Sequence, residues 1–299
     1  MIEIKLSQGV KPGHGGVLPA AKINEEISRA RGVPMGCDGI SPACHRVFST
    51  PIELMRFVKL LRELAEGKPV WIMLCLGHPL EFMSLVKAIL VASIAPDFIA
   101  VDGTKGGGTE AAPLEFADHV GMSLRVGLWF VHNALVGAGL RDRSRVGVSG
   151  KIVSGFDMAC VMALGADYCN AALDFMFAVG CIHAQSCQTD KYPVGVTSQN
   201  PARWRAIVAP DKATRVAHFH KATVEALAEL VGAAGLSHPH ELSPHHLYRR
   251  VSQEEYVTFA ELYPSLDAGD LLTDRKHERF GAAWKIGTAE SFQHAPPPK

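Results

Sequence analysis

The sequence lacks the features that mark several large classes of protein. It has no excess charge, since 30 Lys and Arg residues balance 30 Asp and Glu residues. A neutral chain offers no electrostatic reason to bind nucleic acid or an anionic membrane surface. Its most apolar stretches, such as AILVASIAP (88–96), are much shorter than the roughly 20 residues that cross a bilayer. Nothing near Met1 resembles a secretory signal peptide. We therefore expect no nucleic-acid partner and no membrane segment.

A regular, even-numbered set of cysteines is also absent. The chain has seven cysteines at irregular intervals, whereas a disulfide framework uses pairs. Disulfides are rare in reducing compartments. The cysteine content therefore predicts reduced thiols and a cytoplasmic location.

What the sequence does contain is an alternation of short apolar runs with longer helical patterns. Strands are predicted at IEIKL, PVWIMLCL, DFIAVDG, RVGVSGK and ADYCNAA. Helices are predicted between them, one of them capped by Thr50 with Pro51 at its first position. Glycine-rich loops follow the strands. This order is typical of an α/β fold with a parallel sheet, and in a (β/α) barrel such loops form the active face.

The composition changes after Gly235, which predicts three parts of the chain. Residues 1–235 form the main domain, residues 236–290 a C-terminal helical extension, and residues 291–299 a disordered tail. Four histidines crowd the start of the extension. Imidazoles so close could bind zinc, but the proline-rich spacing favours a solvent-exposed loop.

Five segments, in order along the chain, resemble the FMN-binding domain of glutamate synthase large subunits. They are IKLSQGVKPGHGGVLPAAKI, ISPACHRVFSTP, VDGTKGGGTEAAP, LRDRSRVGVSGKIVSGFD and GCIHAQSCQTDKYPVGVTSQNP, and the resemblance extends from about residue 2 to residue 270. It implies a (β/α)8 TIM-barrel type of fold that holds FMN and a 3Fe–4S cluster. It also implies reductive formation of L-glutamate from 2-oxoglutarate and ammonia or glutamine nitrogen, through 2-iminoglutarate and a hydride from reduced FMN.

The resemblance assigns roles to the first glycine loop. Lys5 would lie against the flavin, and Lys5 and Lys11 would be catalytic. Gln8, Lys11 and Arg31 would hold the oxoacid, a dianion that requires fixed cations, and the fork of an arginine suits a carboxylate. Taken without the resemblance, these residues are ordinary surface cations and a turn.

The resemblance also assigns the cofactor to two later glycine loops. Asp102, Gly103, Gly106 and Gly107 would lie near the active face. The turn Ser149–Gly150–Lys151 would lie near the FMN phosphate, because strand-end loops with glycine expose backbone N–H groups to phosphate. Each glycine alone is as typical of a plain turn.

The cysteine loop departs from the family pattern of three cysteines. Cys181 and Cys187 have the family spacing, but Tyr192 stands at the third position. Iron–sulfur clusters use thiolate ligands, so a 3Fe–4S cluster is not expected here. The interpretation is a former metal site, with both cysteines as buried apolar thiols.

Three further departures fall where the family binds FMN. Met73 replaces a usual lysine near the flavin, and Leu173–Asp174 replaces an Arg-Gly pair that serves the phosphate. The loop Gly106–Glu110 carries one extra residue. In addition, about two strands of the family barrel have no counterpart before Ile2. We therefore expect an incomplete barrel, with a second chain as one source of the missing strands.

Three functions remain open from the sequence. The first is a glutamate synthase-type enzyme that binds a 2-oxoglutarate-like small molecule and FMN. The second is a non-catalytic remnant or partner-dependent subunit, and the third is another FMN-dependent barrel oxidoreductase without the cluster. The first function predicts a yellow protein that contains iron, and the second predicts a colourless protein. The third predicts a yellow protein without iron.

Overall fold

The centre of the fold is a five-stranded parallel sheet. The computed structural model describes residues 1–9, 16–104, 115–116, 119–184, 186–273 and 277–293. The strands in chain order are β1 (Ile2–Lys5), β2 (Val17–Leu18), β3 (Gly39–Ile40), β4 (Val70–Leu74), β5 (Phe98–Asp102), β6 (Arg145–Ser149), β7 (Tyr168–Asn170), β8 (Tyr248–Arg250) and β9 (Tyr256–Thr258). The parallel sheet has the order β1-β4-β5-β6-β7, and the two remaining pairs, β2-β3 and β8-β9, are short antiparallel hairpins.

Helices connect the strands of the parallel sheet, and further helices follow β7. They are α1 (Glu25–Arg31), α2 (Pro51–Leu64), α3 (Pro79–Ala92), α4 (Leu124–Gly137), α5 (Gly155–Ala163), α6 (Leu173–Val179), α7 (Pro201–Trp204), α8 (Ala209–Ala233), α9 (Phe259–Leu262) and α10 (Gly281–Ile286). The predicted start of α2 is confirmed: the Thr50 side chain accepts the Glu53 N–H, and Glu53 accepts the Thr50 N–H in return. The short helix α6 was not predicted, because its apolar run after β7 has no clear helical period.

The two faces of the sheet have different environments. Alternate residues such as Ile72, Val101 and Val148 are fully or almost fully buried and belong to one core with α2, α3, α4 and α5. The intervening residues point to the other face, where Trp71 and Met73 of β4 are half-buried. Covering by helices on one face of a parallel sheet is the arrangement of a (β/α) barrel wall.

The sheet is open. Within the described residues, β1 pairs only with β4 and β7 pairs only with β6, so the sheet has two edges. The expected α/β class with a parallel sheet and an unclosed barrel is confirmed.

The segment after α8 packs onto the main core rather than apart from it. The Phe280 ring stacks on Phe130 with centroids 5.1 Å apart, and Leu271 is buried against α4. This segment contains the β8-β9 hairpin as well as short helices. Residues 294–299 of the predicted tail lie outside the described residues, whereas Phe292 packs against the core. Among the described residues, no helix combines the length and the apolar character required to cross a membrane.

Candidate functional site

A cavity of about 760 Å3 lies at the carboxyl end of β4 to β7. Its walls include Trp71, Met73, Asp102, Ser149, Lys151 and Asn170, and α8 contributes Phe219 and His220. The volume lies within the roughly 300–1,000 Å3 typical of small-molecule sites. The position is also typical, because the carboxyl ends of barrel strands carry the ligand sites. This cavity is the main candidate site.

Asp102 joins three strand ends beneath the cavity. Its side chain is 1% exposed. One oxygen accepts the Gly9 N–H at 2.6 Å and the other accepts the Ser149 hydroxyl at 2.5 Å. These two hydrogen bonds compensate the burial of the polar side chain. Asp102 therefore fixes the loop after β1 and the turn after β6 relative to each other.

A second cavity, of about 770 Å3, lies at the carboxyl ends of β1 and β4. Lys5, Arg46 and His45 line it, together with Ser7 and Cys75. The Ser7 hydroxyl donates to the Cys75 carbonyl at 3.2 Å and accepts the Cys75 backbone N–H at 2.9 Å. Burial, and secondarily the Asp102 carboxylate, raises the pKa of Cys75 to about 12. Cys75 is therefore a neutral thiol, while Lys5 and Arg46 are the cations of this cavity.

The predicted oxoacid residues are not all brought together. Lys5 lines the second cavity and Gln8 is half-buried beside Gly9. Arg31 ends α1 with an exposed side chain and lines neither cavity. Lys11 lies outside the described residues.

The predicted cofactor residues are better clustered. Asp102, Ser149, Gly150 and Lys151 all line the first cavity, and Met73 faces it as expected from its place in β4. Gly103 lies beside them, where a Cβ would stand 2.7 Å from the Leu124 Cβ, so only glycine fits. Gly106 and Gly107 fall outside the described residues.

Tyr192 occupies the centre of the cysteine loop. Its side chain is fully buried. The phenol oxygen accepts the N–H of Ile182 at 3.1 Å and of Ala184 at 3.2 Å, and lies 2.9 Å from the Cys181 Sγ. Burial, followed by the hydrogen bond with Cys181, raises the pKa of Tyr192. The loop is thus organised around a neutral phenol.

The residues of this loop do not fit a 3Fe–4S cluster. Within the part of the chain that the structure describes, no group of three His, Cys, Asp or Glu side chains could hold a metal. Cys181 and Cys187 are half-buried rather than fully buried and form no disulfide, and the tyrosine ring fills the loop interior. Lys22 further braces the loop through hydrogen bonds to the carbonyls of Cys187 and Thr197.

A flavin fits the first cavity in part. The cavity has the volume for a ring system and offers Trp71, Met73 and Phe219 as apolar contacts. The phosphate end is different, because Asp174 follows β7 with a side chain only 4% exposed. Its Oδ2 has no hydrogen-bond partner among the described residues. A buried carboxylate opposes a neighbouring phosphate.

The sequence did not predict that Asp102 is buried and links two loops through hydrogen bonds. It also did not predict that Trp71, Ser7 and Arg46 line the cavities. An aspartate directly before a glycine at a strand end was the available signal for Asp102. For the other three, only the register of β1 and β4 and the return of the 40–49 segment place them at the cavities.

The fold and the cavities define an α/β protein of the (β/α)-barrel type with its ligand site at the carboxyl ends of the strands. Residues 1–237 match the conserved region in glutamate synthase. The chain therefore belongs to the glutamate synthase family.

Two relatives show the extent of the similarity. The chain is 38% identical to the glutamate synthase large subunit-like protein YerD of Bacillus subtilis (strain 168), over 87% of this chain and 49% of that protein. It is 36% identical to an archaeal glutamate synthase (NADPH) of Methanocaldococcus jannaschii, over 79% of this chain and 46% of that protein. The chain thus spans about half the length of the curated relatives it matches.

Solved structures show a weaker likeness. The flavin-binding domain of baker's yeast flavocytochrome b2 has 15% identity and a TM-score of 0.41, over 73% of this chain and 41% of that one. A mandelate oxidase variant has 16% identity and a TM-score of 0.37, over 73% of this chain and 48% of that one.

Proposed function

We propose that this chain is the substrate-side part of a glutamate synthase-type flavoprotein, which forms L-glutamate by reducing 2-iminoglutarate made from 2-oxoglutarate and ammonia or glutamine nitrogen. The observation that carries the proposal is the cavity at the carboxyl ends of β4 to β7, in a chain whose residues 1–237 match the glutamate synthase region. A flavin of the FMN class would supply the hydride for this reaction.

The chain's own residues have three tasks in this proposal. Lys5 and Arg46 provide the positive charge that a dicarboxylate requires in the second cavity. Trp71 and Met73 provide an apolar wall for a planar ring in the first cavity and exclude water from it. Asp102 holds the loop after β1, which borders the second cavity, against the turn after β6, which borders the first, because it bonds Gly9 and Ser149 simultaneously.

Further strands would complete the site. The two open edges, β1 and β7, have unpaired backbone groups within the described residues, and such edges are covered in stable proteins. Since the relatives are about twice as long as this chain, the corresponding polypeptide would pair with these edges. A second chain is one source of it.

A non-catalytic, partner-dependent subunit is the second candidate. It is favoured by Tyr192, which fills the cysteine loop, and by the buried Asp174 side chain after β7. The Tyr192 oxygen satisfies the N–H groups of its loop without a cofactor atom. A barrel oxidoreductase that uses a flavin without the cluster is compatible with Tyr192 as well.

The absorption spectrum of the purified chain, before and after addition of flavin, tests the proposal. Bound flavin bands are expected, and the W71A variant should weaken binding because Trp71 lines the cavity. W204A is the matched control, since Trp204 is 50% exposed on α7 and does not line the cavity.

A flavin-bound chain would then be assayed for glutamate formation from 2-oxoglutarate, ammonia and a chemical reductant. Failure to bind flavin, even with the part of a relative that this chain does not match co-expressed, would refute the enzyme function and favour the non-catalytic subunit. Flavin binding without glutamate formation would favour a different oxidoreductase.

A further inference from the structure

A pair of histidines joins the C-terminal extension to the main domain. His238 caps the short turn Pro239–Glu241, because its Nδ1 accepts the His240 backbone N–H at 3.2 Å. The His240 ring reaches the main domain, where its Nε2 lies 3.1 Å from the Asp167 carbonyl oxygen, just before β7. The Nδ1 atoms of the two histidines lie 3.2 Å apart. His240 therefore contacts both sides of the junction at once.

The proton positions in this pair follow from the partners of each nitrogen. A carbonyl oxygen can only accept, so the His240 Nε2 that faces the Asp167 carbonyl must carry a proton. The His238 Nδ1 accepts a backbone N–H, so it presents a lone pair and carries no proton. A hydrogen bond between the two Nδ1 atoms then requires a second proton on His240. All three contacts are satisfied together only when His240 is an imidazolium ion.

A neutral His240 side chain cannot keep both of the contacts that it donates. With its single proton on Nε2, two lone pairs would face each other across the 3.2 Å between the Nδ1 atoms. With that proton on Nδ1 instead, the contact with the Asp167 carbonyl would lose its donor. Loss of one proton therefore removes one hydrogen bond from the junction.

The charges around His240 are balanced. The residues that line the same cavity as His240 include Arg141, Arg145, His132, Asp167 and His245, and Glu241 belongs to its own turn. The Asp167 carboxylate is bonded to both guanidinium groups, at 2.7 Å and 3.4 Å. Burial lowers the pKa of His132 to about 4, so His132 is neutral. The helices that pack on the turn, α5 and α8, contribute apolar residues there, among them Ala163, Leu227 and Val231. Hydrogen-bond geometry, rather than an unbalanced carboxylate, thus favours the proton.

We propose that His238 and His240 form a proton-dependent latch between the extension and the main domain. One proton between the two Nδ1 atoms closes the latch, and the closed latch holds the extension at the start of β7. Closure takes up a proton, so it is favoured at low pH and weakens as the pH rises. Histidine is the side chain suited to such a change near neutral pH. This inference does not depend on the proposed enzymatic function.

Hydrogen exchange of residues 236–247 in the full chain, measured by mass spectrometry from pH 6 to pH 8.5, tests the latch. After correction for the intrinsic pH dependence of exchange, protection of this segment should fall by about tenfold over the range, as expected for the loss of one hydrogen bond. H218N is the matched control, because His218 is exposed on α8 and does not line the cavity around His240. It should show the same fall.

Two substitutions separate the contact from the proton. The asparagine of H238N can accept the backbone N–H, as the histidine does, and its amide can also donate to a neutral His240. The glutamine of H240Q can donate to the Asp167 carbonyl and does not titrate. Protection in both variants should change by less than about twofold over the same pH range, because neither needs the proton.

Circular dichroism melting of each variant would establish that it is folded. Protection that is independent of pH in the unmodified chain would overturn the latch. The full fall in both folded variants would assign the pH dependence to other groups and overturn it as well.

Discussion

The hydroxyl of Tyr192 is predicted to hold the cysteine loop together in the absence of a metal. The Y192F substitution removes one buried oxygen and leaves the ring in place. Two backbone N–H groups, of Ile182 and Ala184, then lose their acceptor, and the Cys181 thiol loses its contact. An unsatisfied buried donor costs about 1–3 kcal/mol.

The lower part of that range applies to each donor. Ile182 is 59% exposed, so water can reach part of the loop once the hydroxyl is gone. We expect a total loss of about 1–3 kcal/mol in the free energy of unfolding. For a chain of this size the melting temperature should fall by a few degrees, about 2–4 °C per kcal/mol.

Tyr168 provides a matched control for the same chemical change. Its hydroxyl is buried and has no hydrogen-bond partner within the described residues. Burial raises the pKa of Tyr168 to about 12, as do the nearby Asp167 and Glu3 carboxylates. Removing a hydroxyl without partners should leave stability unchanged or raise it.

Thermal and urea unfolding followed by circular dichroism would measure both variants. A Y192F chain with the same melting temperature as the unmodified chain would refute this prediction. So would a Y168F chain that loses as much stability as Y192F, because the loss would then belong to the phenol and not to its partners.

The remaining predictions concern stability and thiol chemistry. Burial lowers the pKa of His132 to about 4, while an unfolded histidine titrates near 6.5. The contribution of the neutral His132 to stability is therefore complete above about pH 6.5 and should fall by up to about 3 kcal/mol as the pH drops to about 4. Urea unfolding midpoints measured against pH would test this. G165A should lower the free energy of unfolding by at least about 1 kcal/mol more than G235A in the same assay. Both glycines have a positive φ, but only at Gly165 would a Cβ meet another side chain, 2.1 Å from the His132 Nδ1. Iodoacetamide should modify the exposed Cys37 before the buried Cys75, since a thiol with a pKa of about 12 yields little thiolate. Mass spectrometry of timed samples would measure the order, and earlier modification of Cys75 would contradict the prediction.

Local sequence patterns were sufficient for most of the parallel sheet. β4 and β5 are apolar runs bounded by turn residues, a pattern typical of buried parallel strands. β1 alternates apolar and charged residues, which also predicts a strand. The start of α2 was equally predictable, because a threonine followed by proline and glutamate satisfies the first N–H groups of a helix locally. α6 escaped prediction because it is seven residues long and is stabilised by packing on α8.

The candidate site was predictable in its residue types but not in its grouping. The glycine turn Ser149–Gly150–Lys151 and Asp102 were identified from the sequence and line one cavity. Arg31 was assigned to oxoacid binding by the family resemblance, yet it lies exposed on α1 and lines neither cavity. Proximity between segments far apart in sequence depends on how loops return to the sheet, and a local pattern carries no information on that.

By itself, the sequence determined the alternation of strands and helices, the neutral charge balance and the absence of a third cysteine beside Cys181 and Cys187. These follow from residue identity and spacing alone. Tertiary structure decided what the substitutions do. It placed the Tyr192 oxygen where two N–H groups converge, and it laid the Tyr168 ring over Gly147, where any Cβ would stand 2.1 Å from it. Such effects require distances between residues remote in the chain, and only the packed sheet and its helices fix those distances.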